Sequence, residues 1–184
     1  MRPRWPVLAL GSLAMLAAFA MQAAVPREKV DVDTARRELA NRSLEFPVRG
    51  HEGALRNNFD ELRGNAPHEA LDIMAPRGTP VVAVDDGTIA RLFKSKPGGL
   101  TIYQYDPAQG LAYYYAHLDR YAPGLKQGDA VKRGQVLGYV GSTGNARADA
   151  PHLHFTVYAL PAGKQWWRGT AINPYEKLAP KMAP

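Results

Sequence analysis

No cysteine occurs in the 184 residues. Disulfide staples, thiolate metal sites, thiol nucleophiles and lipidation at cysteine are therefore excluded, and stability must come from packing or from a metal held by nitrogen and oxygen. The chain also lacks internal repeats, heptads and low-complexity segments. Its basic residues form no aromatic-rich stripe, which argues against a nucleic-acid partner. The length suits one globular domain with an appendage rather than two domains.

The appendage is at the N-terminus, where Arg2 and Arg4 precede "WPVLALGSLAMLAAFAMQAA", uncharged through Ala24. Two arginines ahead of such a run read as an export segment over residues 1–24. Ala18-Phe19-Ala20 fits a cleavage site, and the run is nearly long enough to remain as an inner-membrane anchor. Either outcome places the remainder in the periplasm or cell envelope. The formal charge of +6 is that of a solvated basic surface, or of a surface drawn to an anionic polymer or membrane. Residues 25–45 carry a short amphipathic pattern with Ala35, Leu39 and Ala40 at rough helical spacing and Asp33 as candidate N-cap, predicting a linker helix.

From "LEFPVRG" onward the texture is β-rich and broken by Gly and Pro, predicting an all-β, antiparallel sheet or sandwich domain over 46–178 and a short tail at 179–184. Strands are expected over 79–85, 88–94, 100–105, 111–118, 135–140 and 152–159. Asp86-Gly87 and "KPGG" supply turns.

Four of the five histidines fall in patterned contexts. In "PHLHFTVYAL" strand alternation puts His152, His154, Thr156 and Tyr158 on one face and Leu153, Phe155, Val157 and Ala159 on the other. In "HEALD" a four-residue separation puts His68 and Asp72 on a common face. In "YYYAHLD" alternation groups His117 with Leu111, Tyr113 and Tyr115, against Ala112, Tyr114, Ala116 and Leu118. His51 lies outside any such pattern and is expected at the surface. Each histidine alone reads as a surface or satisfied core residue. Together with an aspartate at ligand spacing they point to three protein ligands with an open fourth position, the requirement of a catalytic zinc.

These motifs resemble the lysostaphin-like, LytM-type zinc metallopeptidases that cut peptidoglycan peptides. The resemblance rests on "HEALDIMAPRGTPVVAVDDGTI", "YAHL", "GDAVKRGQVLGYVGSTGN" and "HLHF", covers about residues 46 to 178, and is specific because H-x-x-x-D and H-x-H occur together in that order. It implies an open active-site groove on a fold of the duplicated hybrid motif type. It implies one Zn2+ per chain on His68, Asp72 and His154, with His117 and His152 facing the metal as the catalytic pair, in roles left open between general base and oxyanion stabiliser. Ala70, where the family commonly has Gly, and Thr156 depart from the pattern without touching a ligand position, and "NARADAP" lengthens the approach to His152. Asn58 and Arg63 lie where the family's groove wall begins and are expected to be structural rather than substrate-contacting.

"GDAVKRGQVLGYVGSTG" also occurs in biotinyl and lipoyl carriers as a turn-and-strand scaffold, a reading that serves here with Gly128, Gly134 and Gly138 at tight turns. The function implied is a monomeric peptidoglycan endopeptidase. The D-alanyl–diaminopimelate cross-link is its expected target, since 160–184 leaves no room for the β-barrel module of glycine-bridge cutters. The alternative is a non-catalytic regulator or wall-binding module of the same fold; such proteins usually lose zinc ligands, whereas this chain keeps them all.

Overall fold

The computed structural model describes residues 30–180, so the export-segment reading and most of the tail fall outside the described residues. It is mostly β and antiparallel. Helix α1 spans Val32–Asn41. Its N-cap is Asp31 and not Asp33: the Asp31 carboxylate accepts from the Thr34 N–H at 3.0 Å, leaving Asp33 in the first turn, where a negative charge suits the helix dipole. Ala35 and Leu39 are buried in the same core as the strands, so this stretch is packed down rather than a free linker.

Eleven short strands follow in chain order: β1 Leu62–Arg63, β2 Ala66–Pro67, β3 Leu71–Met74, β4 Pro80–Val82, β5 Gly87–Ser95, β6 Gly99–Tyr105, β7 Leu111–Tyr121, β8 Ala130–Val131, β9 Val136–Val140, β10 His152–Ala159 and β11 Thr170–Ile172; a short helix α2 covers Tyr175–Leu178. β1 and β2 form a small hairpin. The main sheet runs β11-β10-β7-β6-β5-β8, with β3 also on β10 and with β9 linking β4 to β7. The six strands expected from alternation are present, β10 with the expected ends and the other five with shifted ones. β1, β2, β3, β8 and β11 were not anticipated; most of them have only two or three residues, too few for a period of two to show.

β10 settles the architecture near the site. Leu153, Phe155, Val157 and Ala159 are fully buried, as the alternating pattern requires, and each large one contributes roughly 1.5–3 kcal/mol through removal from water. They pack with Tyr113 and Tyr115 of β7, Leu71 and Ile73 of β3, and Ile172 of β11. The buried phenol of Tyr115 donates to Gln104 Oε1 at 2.8 Å and accepts from the Val84 N–H at 3.0 Å, so its polar tip is satisfied inside the core. Because β10 lies between β3 and β7, with His154 opposite Asp72 on one side and Ala116 on the other, residues far apart in sequence meet on its outer face.

Candidate metal centre

His68, Asp72 and His154 converge. His68 Nε2 lies 3.1 Å from Asp72 Oδ1 and 3.2 Å from His154 Nδ1, and His154 Nδ1 lies 3.3 Å from Asp72 Oδ1. Three donors on a tetrahedral ion with bonds of about 2.0–2.1 Å sit about 3.3 Å apart, so the triangle has the size that zinc requires.

Proton placement tells the same story. The Asn58 carbonyl can only accept, and it faces His68 Nδ1 at 3.1 Å, so that nitrogen carries the hydrogen and Nε2 turns a lone pair toward Asp72. Asp72 Oδ2 accepts from Arg63 at 3.1 Å, whereas Oδ1 is buried with no hydrogen-bond partner among the described residues. Lone pairs that meet around an orphaned carboxylate oxygen are unfavourable unless a cation lies between them. The three side chains could hold an ion through two nitrogens and one oxygen.

Titration follows from the same contacts. Burial opposes ionisation of Asp72, yet the imidazoles of His154 and His68 hold its carboxyl well below the usual carboxylate range. Burial depresses His154, favouring the neutral form that a ligand needs. Burial also acts against protonation of His68, but the adjoining Asp72 outweighs it and raises this histidine.

The local backbone explains the convergence. Glu69 has φ +56°, and the N–H groups of His68 and Glu69 donate to the Glu61 and Phe59 carbonyls at 2.8 Å each. His68 and Asp72 thus share a site through a left-handed turn between them, and not by simple continuation of one strand. Asn58 contributes twice, through its carbonyl to His68 and through Oδ1, which accepts the Asp72 N–H at 3.2 Å. Asn58 and Arg63 orient the ligands, a structural part of the kind expected of them, and both also line the groove.

His117 and His152 stand beside the triangle, with ring centroids 4.9 Å apart. His152 Nδ1 donates to the Ala150 carbonyl and His117 Nδ1 to the Thr143 carbonyl, each at 2.8 Å. With Nδ1 donating, Nε2 is the nitrogen each ring turns away from these carbonyls, and that of His152 lies 3.6 Å from Asp72 Oδ1. Burial pushes His117 down to about 4.

The face assigned to His117 by alternation needs correction. Tyr113 and Tyr115 point into the core, and unbroken alternation would send His117 there too. Between β6 and β7, Leu100 pairs with Leu118 but Ile102 pairs with Tyr115, so Ala116 and His117 oppose a single residue. This β-bulge, with His117 at φ +59°, reverses the phase: His117 turns to the metal side and Leu118 goes into the core. Tyr114 lies on the site face, its ring edge-on to His154 at 6.0 Å. His51 stays outside the cluster, its Nδ1 on the Arg49 carbonyl at 3.2 Å.

A groove of about 670 Å³ runs over these residues. Asn145, Arg147 and Ala150 from the "NARADAP" segment line it together with Arg56 and Pro67. The lengthened approach to His152 thus forms a groove wall and supplies the carbonyl that orients His152.

Comparison with known proteins gives a consistent result. Residues 66–174 match the family described as Peptidase family M23. The L-Ala–D-Glu endopeptidase of Bacillus subtilis is 31% identical over 149 residues, 77% of this chain and 44% of the relative. The DD-carboxypeptidase/endopeptidase Mpg of Neisseria meningitidis serogroup B is 43% identical over 114 residues, 61% of this chain and 23% of the relative. The chain thus spans less than half the length of these curated relatives. Among solved structures, the catalytic domain of lysostaphin from Staphylococcus simulans superposes with a TM-score of 0.61 at 29% identity, covering 73% of this chain and 98% of that one. A zinc-containing peptidase from Vibrio cholerae gives 0.55 at 28% identity, covering 71% and 39%.

Proposed function

From the premise that the chain belongs to peptidase family M23, we propose that it is a zinc-dependent endopeptidase that cuts the stem-peptide cross-links of peptidoglycan. The observation that carries this reading is the pairing of the ligand triangle, with edges of 3.1 to 3.3 Å, with two imidazoles whose Nε2 atoms are free to move a proton.

The residues divide the work by position. His68, Asp72 and His154 would hold the ion. The chemistry it supplies when bound is Lewis-acid polarisation of the scissile carbonyl and acidification of water. His117 and His152, fixed in one tautomer by carbonyls, present Nε2 to the open side, where one accepts the proton of the attacking water and passes that proton to the leaving amine, while the other, when it carries a proton taken up from solvent, donates a hydrogen bond to the developing oxyanion. Arg63 holds Asp72 Oδ2, leaving Oδ1 turned toward the place the ion would take, and Asn58 Oδ1 fixes the main chain beneath it by accepting the Asp72 N–H.

The groove suits an extended peptide of small residues, and the D-alanyl–diaminopimelate bond is its target in this reading. The apolar N-terminal run behind Arg2 and Arg4 supports export to the periplasm, with the segment cleaved or kept as an anchor. The enzyme acts as a monomer. Zinc-reconstituted protein should convert cross-linked dimeric muropeptides to monomers, and chelation should stop it. Cleavage of pentaglycine with dimers left intact would overturn the bond assignment; inertness toward both with zinc bound would favour a regulator of the same fold.

A further inference from the structure

The groove carries three arginines, Arg56, Arg63 and Arg147, and Asp72 is the one acidic residue in its lining. Two of the three are engaged. Arg63 is shared between Asp72 Oδ2 at 3.1 Å and Glu61 Oε2 at 3.3 Å. Arg147 grips Asp149 with both arms of its fork, Nε at 3.1 Å and Nη2 at 2.8 Å.

Arg56 differs. Among the described residues it has no carboxylate partner; its Nη1 alone is used, donating to the carbonyls of Gly53 at 2.8 Å and Leu55 at 2.7 Å. Those two contacts fix the guanidinium plane while leaving the Nε–Nη2 edge, the geometry that accepts a carboxylate through two parallel hydrogen bonds. The backbone beneath it is also anchored, by buried Leu55 on one side and by Asn58, which orients two metal ligands, on the other. A cation held this way loses little freedom on binding.

We propose that Arg56 is a specificity-determining residue that binds a free carboxylate of the substrate peptide, so that the groove selects acidic stem peptides over their amidated counterparts. This rests on the function proposed above and adds the chemical form of the substrate. With Asp72 committed to Arg63 and to the ion, no acidic group lining the groove remains to neutralise Arg56, and an anionic peptide is the complementary occupant.

The test uses zinc-loaded protein and two diaminopimelate-containing stem-peptide dimers, one with free α-carboxylates and one with those groups as primary amides. Binding of the corresponding monomers, which have no cross-link to cut, is measured in parallel by calorimetry. The expected result is a preference for the acid form of roughly tenfold or more in kcat/KM, carried by KM, with a matching preference in monomer binding. Arg56→Ala should abolish both preferences by lowering kcat/KM for the acid dimer toward that for the amidated one. Arg56→Lys, which keeps the charge but not the fork, should retain part of them, and Arg147→Ala should keep them in full. Cleavage of both dimers at equal efficiency, or a preference that survives Arg56→Ala or disappears in Arg147→Ala, would overturn the proposal while leaving the peptidase reading intact. Arg56-dependent preference in monomer binding without cleavage of either dimer would uphold the carboxylate site and overturn the peptidase reading.

Discussion

His117 Nδ1 donates to the main-chain carbonyl of Thr143 at 2.8 Å, and this bond joins the bulge of β7 to the loop after β9. The same loop locks against the turn before β6: the Thr143 hydroxyl accepts the Leu100 N–H at 2.9 Å and donates to the Leu118 carbonyl at 2.7 Å, while the His117 N–H reaches the Gly98 carbonyl at 2.9 Å. The His117 imidazole is thereby held by main-chain geometry rather than by another side chain.

That interlock predicts a substitution far more damaging to turnover than to metal binding. Gly144 has φ +81°, and a Cβ there would run into the Pro97 carbonyl oxygen and the Gly99 nitrogen. Gly144→Ala should displace the Thr143 carbonyl, leave zinc stoichiometry near one and lower kcat by roughly tenfold or more, as expected for a misplaced catalytic group. Unchanged kcat would show that His117 does not need this acceptor.

Burial sets the pH range in which His117 can accept a proton. Its pKa is lowered from 6.5 to about 4, with the neighbouring imidazoles adding to burial. Neutral imidazole is the acceptor, so His117 stays competent on descending through pH 6 and is filled only near 4. The unfolded chain takes up this proton first, so the stability associated with the neutral ring is lost as pH falls from about 6.5 toward about 4. Following the His117 ring resonance by NMR would check this; titration at or above 6.5 would refute it.

Much of this site is legible before any fold is known. Period-two alternation in "HLHFTVYA" separates His152 and His154 from the buried Leu153 and Phe155, because β10 has one packed face and one open face. The same rule misassigned His117, since a bulge adds one residue and reverses every side chain beyond it. The carbonyls of Asn58, Ala150 and Thr143 leave no mark on side-chain patterns, so the tautomers they impose could not be foreseen. Arg56 gave no signal either: its availability appears only once Arg63 and Arg147 are seen to be paired. Tyr114 was within reach, as the partner of Ala112 and Ala116 on the face opposite Tyr113 and Tyr115.

Asn58 should matter to metal affinity without touching the ion. Asn58→Ala removes the acceptor for the Asp72 N–H but keeps the carbonyl to His68, so one of the two orienting bonds survives. Loss of such a partner typically weakens metal binding about 10–100-fold. Competition with a zinc chelator should show that loss in Asn58→Ala. An affinity equal to the parent protein would reduce Asn58 to a packing residue.

The two histidine sets should separate in a single pair of measurements. His117→Ala and His152→Ala should retain zinc and lose roughly a hundredfold or more in kcat, the usual scale for a general acid or base. His68→Ala, Asp72→Ala and His154→Ala should lose the zinc itself. Thermal unfolding gives a readout independent of activity, because zinc that binds only the folded chain stabilises it by mass action. At free zinc a thousandfold above Kd that amounts to about 4 kcal/mol, which for a chain of this size is a rise in Tm on the order of 10 °C. The rise should persist in His117→Ala and His152→Ala and vanish in Asp72→Ala, where the buried orphan oxygen is gone. A zinc-dependent rise that survives in Asp72→Ala and His154→Ala alike would place the ion elsewhere and dissolve the assignment of the ligand triangle.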